Sequence, residues 1–190
     1  MKGIGQSAGN PDLCLAILRD FTLSILGKKQ KIMELAADWV TGFVDGEGCF
    51  YIGITEHPET SVGYQVLPEF RIVQHVRDIQ VLYTLKRFFQ CGVVRQNHED
   101  RYELRIRKLT CLEKVVDFFR KHPLKTKKNV DFRKFARIIY WMRNNKHLEP
   151  EGLIKIIKLA SEMNRGDKPQ AAAILQKIQL AAKDKDKVHT

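Results

Sequence analysis

The segment RYELRIRK, residues 101–108, alternates apolar and charged side chains with a period of two. Successive side chains of an extended strand point to opposite faces, so Tyr102, Leu104 and Ile106 share one face. The opposite face carries only charged residues: Arg101, Glu103, Arg105 and Arg107. A strand with one apolar and one charged face is typical of an antiparallel sheet that is covered on one side only.

The remaining patterns place this strand in an α+β fold. Turn-bounded, β-rich segments predict four strands: 49–57, 64–74, 91–97 and 101–108. Apolar residues at a period near 3.6 predict the helices of the same region: 33–46, 76–89, 110–122, 131–145 and 148–164. Two similar blocks of helix, hairpin and helix predict a four-stranded antiparallel sheet backed by helices.

We expect three segments along the 190 residues. Residues 1–30 read as an N-terminal helical extension, 31–165 as the main domain, and 166–190 as an alanine-rich helix followed by a disordered tail. No apolar run approaches the roughly 18 residues of a membrane span. Charged residues interrupt the N-terminal apolar segment, so we expect no signal peptide. These features predict an intracellular protein and do not distinguish an organelle (chloroplast or mitochondrion) from a bacterial cytoplasm.

The net charge of +11 predicts a polyanionic partner. Between Arg120 and Leu148 there are ten lysines and arginines and a single acid, Asp131. A solvated helix surface is the alternative interpretation of this run.

The cysteines and histidines do not form a recognisable metal-binding pattern. The four cysteines, Cys14, Cys49, Cys91 and Cys111, include no Cys-x-x-Cys pair. We expect them to be reduced and mostly buried thiols of an intracellular protein. The six histidines are scattered singly, which argues against a zinc site.

A helix pattern changes into a strand pattern at VTGFVDGEG, residues 40–48. This stretch resembles the motif that names the LAGLIDADG homing endonuclease family. Further segments resemble the family in matching order: 66–75, 88–94, 122–129 and 147–164. The resemblance covers about residues 34–164 and implies the αββαββα fold of that family.

The resemblance also implies an active site. It makes Glu47 the ligand of Mg²⁺ or Mn²⁺, assisted by the Gly46 carbonyl, and oxygen ligands suit these cations. It assigns Gln74 to ordering the attacking water and Lys127 to the family's active-site lysine. Lys128 replaces Lys127 if the register slips by one residue. Asp45 is interpreted as a capping or turn residue and not as a ligand.

A single copy of the motif implies a homodimer. One acid per chain cannot build a two-sided metal centre, so two copies of Glu47 would meet across a twofold axis. The spacing Gly42-x-x-x-Gly46 offers a small-residue face on which two helices can approach closely. Such a dimer is expected on a long pseudo-palindromic DNA site.

The outward positions of the four strands are the expected DNA contacts. They are Tyr51, Gly53, Thr55, Gln65, Glu69, Arg71, Arg95, Asn97, Arg101, Glu103, Arg105 and Arg107. Arginine, glutamine and glutamate can each pair with a base edge in the major groove. Trp39, Phe43 and Phe70 are expected in the core.

These features together predict a site-specific, metal-dependent double-strand DNA endonuclease that is encoded in an intron. Two alternatives stay open. One is an RNA maturase on the same fold, whose partner is intron RNA. The other is a DNA-binding regulator without catalysis. The acid at Glu47 favours cleavage.

Overall fold

The computed structural model describes residues 34–164 and 171–178. The elements below belong to the compact unit that begins at Leu35. The predicted N-terminal helix, Cys14 and the predicted disordered tail lie outside the described residues.

The elements follow the predicted order of helices and strands. The first half contains α1 (Ala37–Glu47), β1 (Gly48–Glu56), β2 (Tyr64–His75), a 3₁₀ turn (Val76–Asp78) and α2 (Ile79–Phe89). The second half contains β3 (Val93–His98), β4 (Arg101–Ile106), α3 (Leu109–Lys121), α4 (Lys128–Arg143), a 3₁₀ turn (Lys146–Leu148) and α5 (Pro150–Ser161). Residues 171–178 form a further helix, α6.

The four strands form one antiparallel sheet in the order β1-β2-β4-β3. Phe70 on β2 lies opposite Phe50 on β1 and Ile106 on β4. The apolar positions of adjacent strands therefore line up on one face. The helices cover this face, which confirms the predicted α+β architecture.

Phenylalanine side chains join the inner face of the sheet to the helices. Phe50 is buried and lies 5.2 Å from Phe70, 5.8 Å from Phe119 of α3 and 5.3 Å from Phe135 of α4, measured between ring centroids. Burying one such side chain stabilises the fold by about 1.5–3 kcal/mol. This packing fixes α3 and α4 beneath the sheet and so fixes where the loop between them lies.

Helix α1 has one buried stripe and one exposed stripe. Val40 and Val44 are fully buried against the core. Trp39, by contrast, is 43% exposed and stacks on the partly buried Phe43 at 4.9 Å. The expectation that Trp39 is a core residue is therefore wrong, because its position on the helix lies beside the stripe that faces the core. Phe70 is buried as predicted.

A disulfide joins Cys91, just before β3, to Cys111 in α3. The expectation of reduced thiols is wrong for these two residues. The chain reverses after α2 and brings their Cα atoms within 5.9 Å, a separation that a disulfide can span. Sequence spacing could not reveal this approach. Cys49 is a free, partly buried thiol.

Helix α6 packs against the domain through its apolar residues, including the buried Ile178. Its exposed Lys177 forms an ion pair with Glu56 at the end of β1. Across the described ranges, 34–164 and 171–178, each helix is too short or too polar to cross a membrane.

Candidate active site

The candidate site is built on the C-terminal end of α1. The helix ends at Glu47, and the N–H of Gly48 donates to the Val44 carbonyl. A Cβ at Gly48 would lie 2.6 Å from the Val44 side chain and 2.9 Å from its carbonyl oxygen. Only glycine therefore allows the chain to pass from this helix directly into β1. The consequence is that Gly46 and Glu47 remain exposed at a negative helix end.

Asp45 anchors the loop between α3 and α4. Its carboxylate accepts hydrogen bonds from the backbone N–H groups of Lys125, at 2.6 Å, and Thr126, and from the Thr126 hydroxyl at 2.7 Å. Burial acts to raise the pKa of Asp45, but these donors and the nearby Lys128 hold it below its ordinary value. The contacts agree with the interpretation of Asp45 as a supporting residue.

Lys128, the first residue of α4, reaches the end of α1. Its Nζ donates to the carbonyl oxygens of Val44 and Gly46, each at 3.0 Å. Burial lowers the pKa of its ammonium group, and nearby acidic groups, Asp45 first among them, offset that effect only in part. The ammonium therefore lies next to Glu47 in a partly desolvated position.

The structure brings Gln74 and Glu47 together. Gln74 lies at the end of β2, and its Nε2 donates to Glu47 Oε2 at 3.3 Å. The register of β1 and β2 causes this approach, because Gly48 lies opposite Ile72. An amide and a carboxylate thus converge at one exposed point.

Of the two candidate lysines, Lys128 and not Lys127 contacts this point. Lys127 is the N-cap of α4, and its side chain makes no hydrogen bond or ion pair with the described residues. Helix geometry separates adjacent side chains by about 100°, so a one-residue difference in register decides which lysine faces the site. The sequence allowed either lysine at this point, and in the structure Lys128 is the one that contacts the end of α1.

The donor atoms at the end of α1 suit a hard cation. Each chain offers the Glu47 carboxylate and the Gly46 carbonyl, which are oxygen ligands of the kind that Mg²⁺ prefers. The described part of the chain contains no group of three or more His, Cys, Asp or Glu side chains that could hold a metal. Within this site, the Glu47 carboxylate and the Gly46 carbonyl are the groups that could hold such a cation.

The outer side of the sheet carries a dense set of arginines, here called the arginine face. Its members are Arg71, Arg95, Arg101, Arg105 and Arg107. Cross-strand pairing places Arg71 opposite Arg105, and the Arg71 guanidinium lies over the Tyr51 ring at 4.9 Å. The members of this face lie on β2, β3 and β4 and at Arg107, directly after β4.

Two buried glutamates lie beneath these arginines. Glu103 is 1% exposed and accepts from Arg95 at 2.7 Å, with Arg105 at 3.7 Å. Glu69 is 4% exposed and pairs with Arg107, with Arg71 at 3.5 Å and with Arg105 at 3.9 Å. The two carboxylates hold the guanidinium groups in place from below.

Arg105 lies between the two glutamates and is itself largely covered, with 17% of its side chain exposed. Burial lowers the pKa of Arg105, and the neighbouring Arg107 and Arg95 add to that effect. Arginine stays charged despite such a shift. The face is therefore a close layer of cations, four of which pair with the buried carboxylates of Glu69 and Glu103.

Three of the predicted DNA-contacting residues are buried and not accessible on this face. Glu69 and Glu103 are engaged with arginines, and Gly53 is buried beneath Tyr51 and next to Leu67. Strand periodicity identified their face correctly but not their burial, because the long side chains of neighbours cover short ones. The other predicted positions on this side are at least partly accessible: Tyr51, Thr55, Gln65, Arg71, Arg95, Asn97, Arg101, Arg105 and Arg107.

The exposed side of α1 contains the two glycines of the predicted helix-pairing face. A Cβ placed on Gly42 or Gly46 would meet no atom of the described residues within 4 Å. The stacked rings of Trp39 and Phe43 flank this open strip. At this strip the α1 backbone is accessible at the two glycines, and aromatic surface is exposed beside them.

Comparison with known proteins identifies relatives of this architecture. The family model described as LAGLIDADG endonuclease matches residues 40–139. A protein of Neurospora crassa named probable intron-encoded endonuclease 2 is 30% identical over 135 residues, which is 70% of this chain and 30% of that protein. The matched regions amount to 25–30% of the length of the first fungal relatives.

Solved structures give a similar result. The crystal structure of the homing endonuclease I-TnaI is 64% identical and superposes with a TM-score of 0.75 over 77% of this chain and 99% of that one. The structure of I-SmaMI bound to an uncleaved DNA target with calcium ions is 29% identical, with a TM-score of 0.71, over 74% of this chain and 48% of that one.

Proposed function

Because the chain belongs to the LAGLIDADG endonuclease family, we propose that it cuts both strands of a specific DNA site by divalent-metal-dependent phosphodiester hydrolysis. The observation that carries this proposal is the cluster of the exposed Glu47 with the partly buried Gln74 and Lys128 at the end of α1. Carboxylate, amide and ammonium groups at one point are the set that hydrolysis of a phosphodiester needs. A double-stranded polyanion would lie on the adjacent sheet.

Each group has a separate role in the proposed reaction. Glu47 and the Gly46 carbonyl would hold a divalent cation, Mg²⁺ or Mn²⁺, which when bound stabilises charge on the attacking and leaving oxygens. Gln74 would hold the attacking water through its amide. Lys128 would place a positive charge next to the phosphate oxygens as negative charge develops there.

The functional unit in this proposal is a homodimer that pairs through α1. Gly42 and Gly46 leave room for a second helix, and Trp39 and Phe43 supply apolar surface beside it. Pairing there would place two Glu47 side chains next to each other. It would also align two arginine faces along one duplex, which suits a long site with approximate twofold symmetry.

The arginine face supplies DNA affinity and base recognition in this proposal. Arginine pairs with guanine edges in the major groove and also contacts phosphates. Glu69 and Glu103 act as positioning residues that hold these guanidinium groups from below, and they do not contact bases themselves. A two-stranded antiparallel ribbon of the sheet is narrow enough to enter a major groove about 12 Å wide.

The test uses the DNA that flanks the coding intron, joined without it. We expect the wild type to cut this DNA in Mg²⁺, and Glu47→Gln to cut roughly 10²–10³-fold more slowly or not at all, because the amide is a poor cation ligand. Binding of the same DNA, measured by fluorescence anisotropy, should be retained.

Glu151→Gln is the matched control, since Glu151 is an exposed acid of α5 that lies outside the site. It should cut like the wild type. Equal cutting by wild type and Glu47→Gln would remove Glu47 from its role. Binding of intron RNA that promotes splicing, without DNA cutting, would favour the maturase. DNA binding without cutting by the wild type would favour a regulator.

A further inference from the structure

A cleft between α3 and α4 is lined by arginines that the proposed active site does not use. Its volume is about 330 Å³, and its lining residues are Arg120, Phe132, Arg133, Ala136, Arg137 and Tyr140. Phe132 and Ala136 form a buried apolar floor, and the other four residues are exposed around it. None of these residues comes from the sheet, so the cleft is separate from the arginine face.

The three arginines of this cleft have few acidic partners among the described residues. Arg133 and Arg137 form no ion pair with any residue in the described part of the chain. Arg120 has one exposed contact, with Asp117 at 3.6 Å. Three guanidinium groups around one opening, with so little compensating charge, favour an anion with several acceptor oxygens, because guanidinium pairs with phosphate through two parallel hydrogen bonds.

An aromatic ring lies at the same opening. Tyr140 is 58% exposed, which is unusual for so large an apolar surface on a helix that is otherwise well packed. Arg133, Arg137 and Tyr140 follow one another at helical spacings of four and three residues, so they form one stripe. A flat ring next to guanidinium groups is the arrangement on which an unstacked nucleobase packs while its phosphates contact the cations.

We propose that this cleft binds single-stranded nucleic acid, with one base on Tyr140 and the adjoining phosphates on Arg133, Arg137 and Arg120. The volume suits one nucleotide unit, since small-ligand pockets begin at about 300 Å³. A duplex is a poor ligand for it, because duplex bases are already stacked and cannot reach the ring. This inference does not depend on Glu47 or on DNA cleavage.

The test measures binding of a fluorescent 12-nucleotide oligouridylate to the full chain by anisotropy, at several salt concentrations. Tyr140→Ala should weaken binding by about tenfold, because stacking on an aromatic side chain is lost. Arg133→Gln combined with Arg137→Gln should reduce the slope of log K against log salt by about 1.4, which corresponds to two phosphate contacts on a single strand.

The matched control removes the same charge elsewhere. Lys155→Gln combined with Lys158→Gln alters two exposed cations of α5 outside the cleft and should change binding and slope far less. Circular dichroism and unfolding midpoints would show that all variants are folded. Glu47→Gln should bind the oligonucleotide like the wild type, so a failure of the proposed nuclease does not mimic a failure of the cleft.

Three further ligands identify what the cleft recognises. Oligothymidylate of the same length tests whether a deoxyribose strand is bound equally, and uridine monophosphate tests whether a single nucleotide suffices. Dependence on Tyr140 and the two arginines with any of these single-stranded ligands supports the proposal. Binding that is unchanged in the cleft variants, or a blunt duplex that depends on Tyr140 as strongly, would overturn it.

Discussion

The carboxylate of Glu47 at the end of α1 and those beneath the arginine face differ in burial and in their hydrogen-bond partners. On the arginine face, Glu69 and Glu103 are buried and each contacts at least two arginines. At the end of α1, Glu47 is exposed and has only an amide, that of Gln74, as its hydrogen-bond partner among the described residues. Glu69 and Glu103 are thus paired with cations inside the protein, whereas Glu47 faces solvent.

The difference shows that position decides the role of a glutamate in this protein. A carboxylate that is desolvated beneath arginines cannot leave them without exposing uncompensated charge, so it is structural. A carboxylate at an exposed helix end has no such constraint. Asp45 is intermediate, since it lies at the end of α1 but is held by the α3–α4 loop.

The largest expected effect comes from filling the open strip on α1. Gly42→Leu should abolish dimer formation and DNA cutting, because a leucine would prevent close approach of a second helix. The monomer itself should gain about 0.5–1 kcal/mol of stability, since glycine is a poor helix former and the added side chain meets open space. Analytical ultracentrifugation and urea unfolding measure the two quantities.

Lys158→Leu, on the exposed side of α5, controls for adding an apolar side chain elsewhere. It should leave the dimer intact. A Gly42→Leu protein that remains dimeric would show that α1 is not the pairing helix.

A second prediction separates the two lysines next to the site. Lys128→Met should slow cutting of the target DNA by about 10²-fold, because a charge next to the scissile phosphate is removed. Lys127→Met should slow it by less than about threefold, apart from a small loss of affinity that higher protein concentration restores. Single-turnover rates at saturating protein distinguish these outcomes, and a larger effect at Lys127 would return the role to that residue.

Substitutions beneath the arginine face should change the free energy of unfolding, whereas substitutions at the end of α1 should change the rate of DNA cutting. Glu103→Gln should destabilise the fold by about 2 kcal/mol, because Arg95 and Arg105 lose the buried carboxylate between them. The loss is smaller than for a fully buried pair, since Arg95 is half exposed and can regain water. Urea unfolding at pH 7 measures it.

Glu99→Gln is the comparison for that measurement. Glu99 is exposed in the turn after β3, so the change should stay within about 0.5 kcal/mol. Equal effects of Glu99→Gln and Glu103→Gln would mean that the buried carboxylate does not hold the arginines.

The smallest expected effect concerns Asp45 and depends on pH. Asp45→Asn should cost about 1 kcal/mol at pH 7, because the amide accepts more weakly from Thr126 and the Lys125 N–H. The pKa of Asp45 lies below its ordinary value, so the stabilisation is present above the ordinary carboxyl pKa of about 4 and is lost as pH falls through the lowered value. Unfolding midpoints of wild type and variant should therefore converge in acid; a difference that persists below pH 2 would contradict this linkage.

Local patterns in the sequence predicted the helices and strands of the fold. The alternation in 101–108 predicted both β4 and the charged outer side of the sheet. The apolar repeats predicted α2 to α5 to within a few residues at each end. These features depend on neighbours at fixed spacing, so the chain encodes them directly.

The roles within the site depended on contacts between distant segments. Lys128 meets Gly46 across 82 positions, and Glu69 meets Arg107 across 38. The same reason explains the disulfide of Cys91 with Cys111, which does not follow from local spacing.

The amino-acid sequence alone thus determined the helices, the strands, the charged side of the sheet and the position of an acid at a glycine-rich helix end. The tertiary structure decided which lysine faces that acid and which glutamates are buried beneath arginines. Periodicity specifies the direction in which a side chain points. Its burial and its interaction partners depend on which distant segments pack against it.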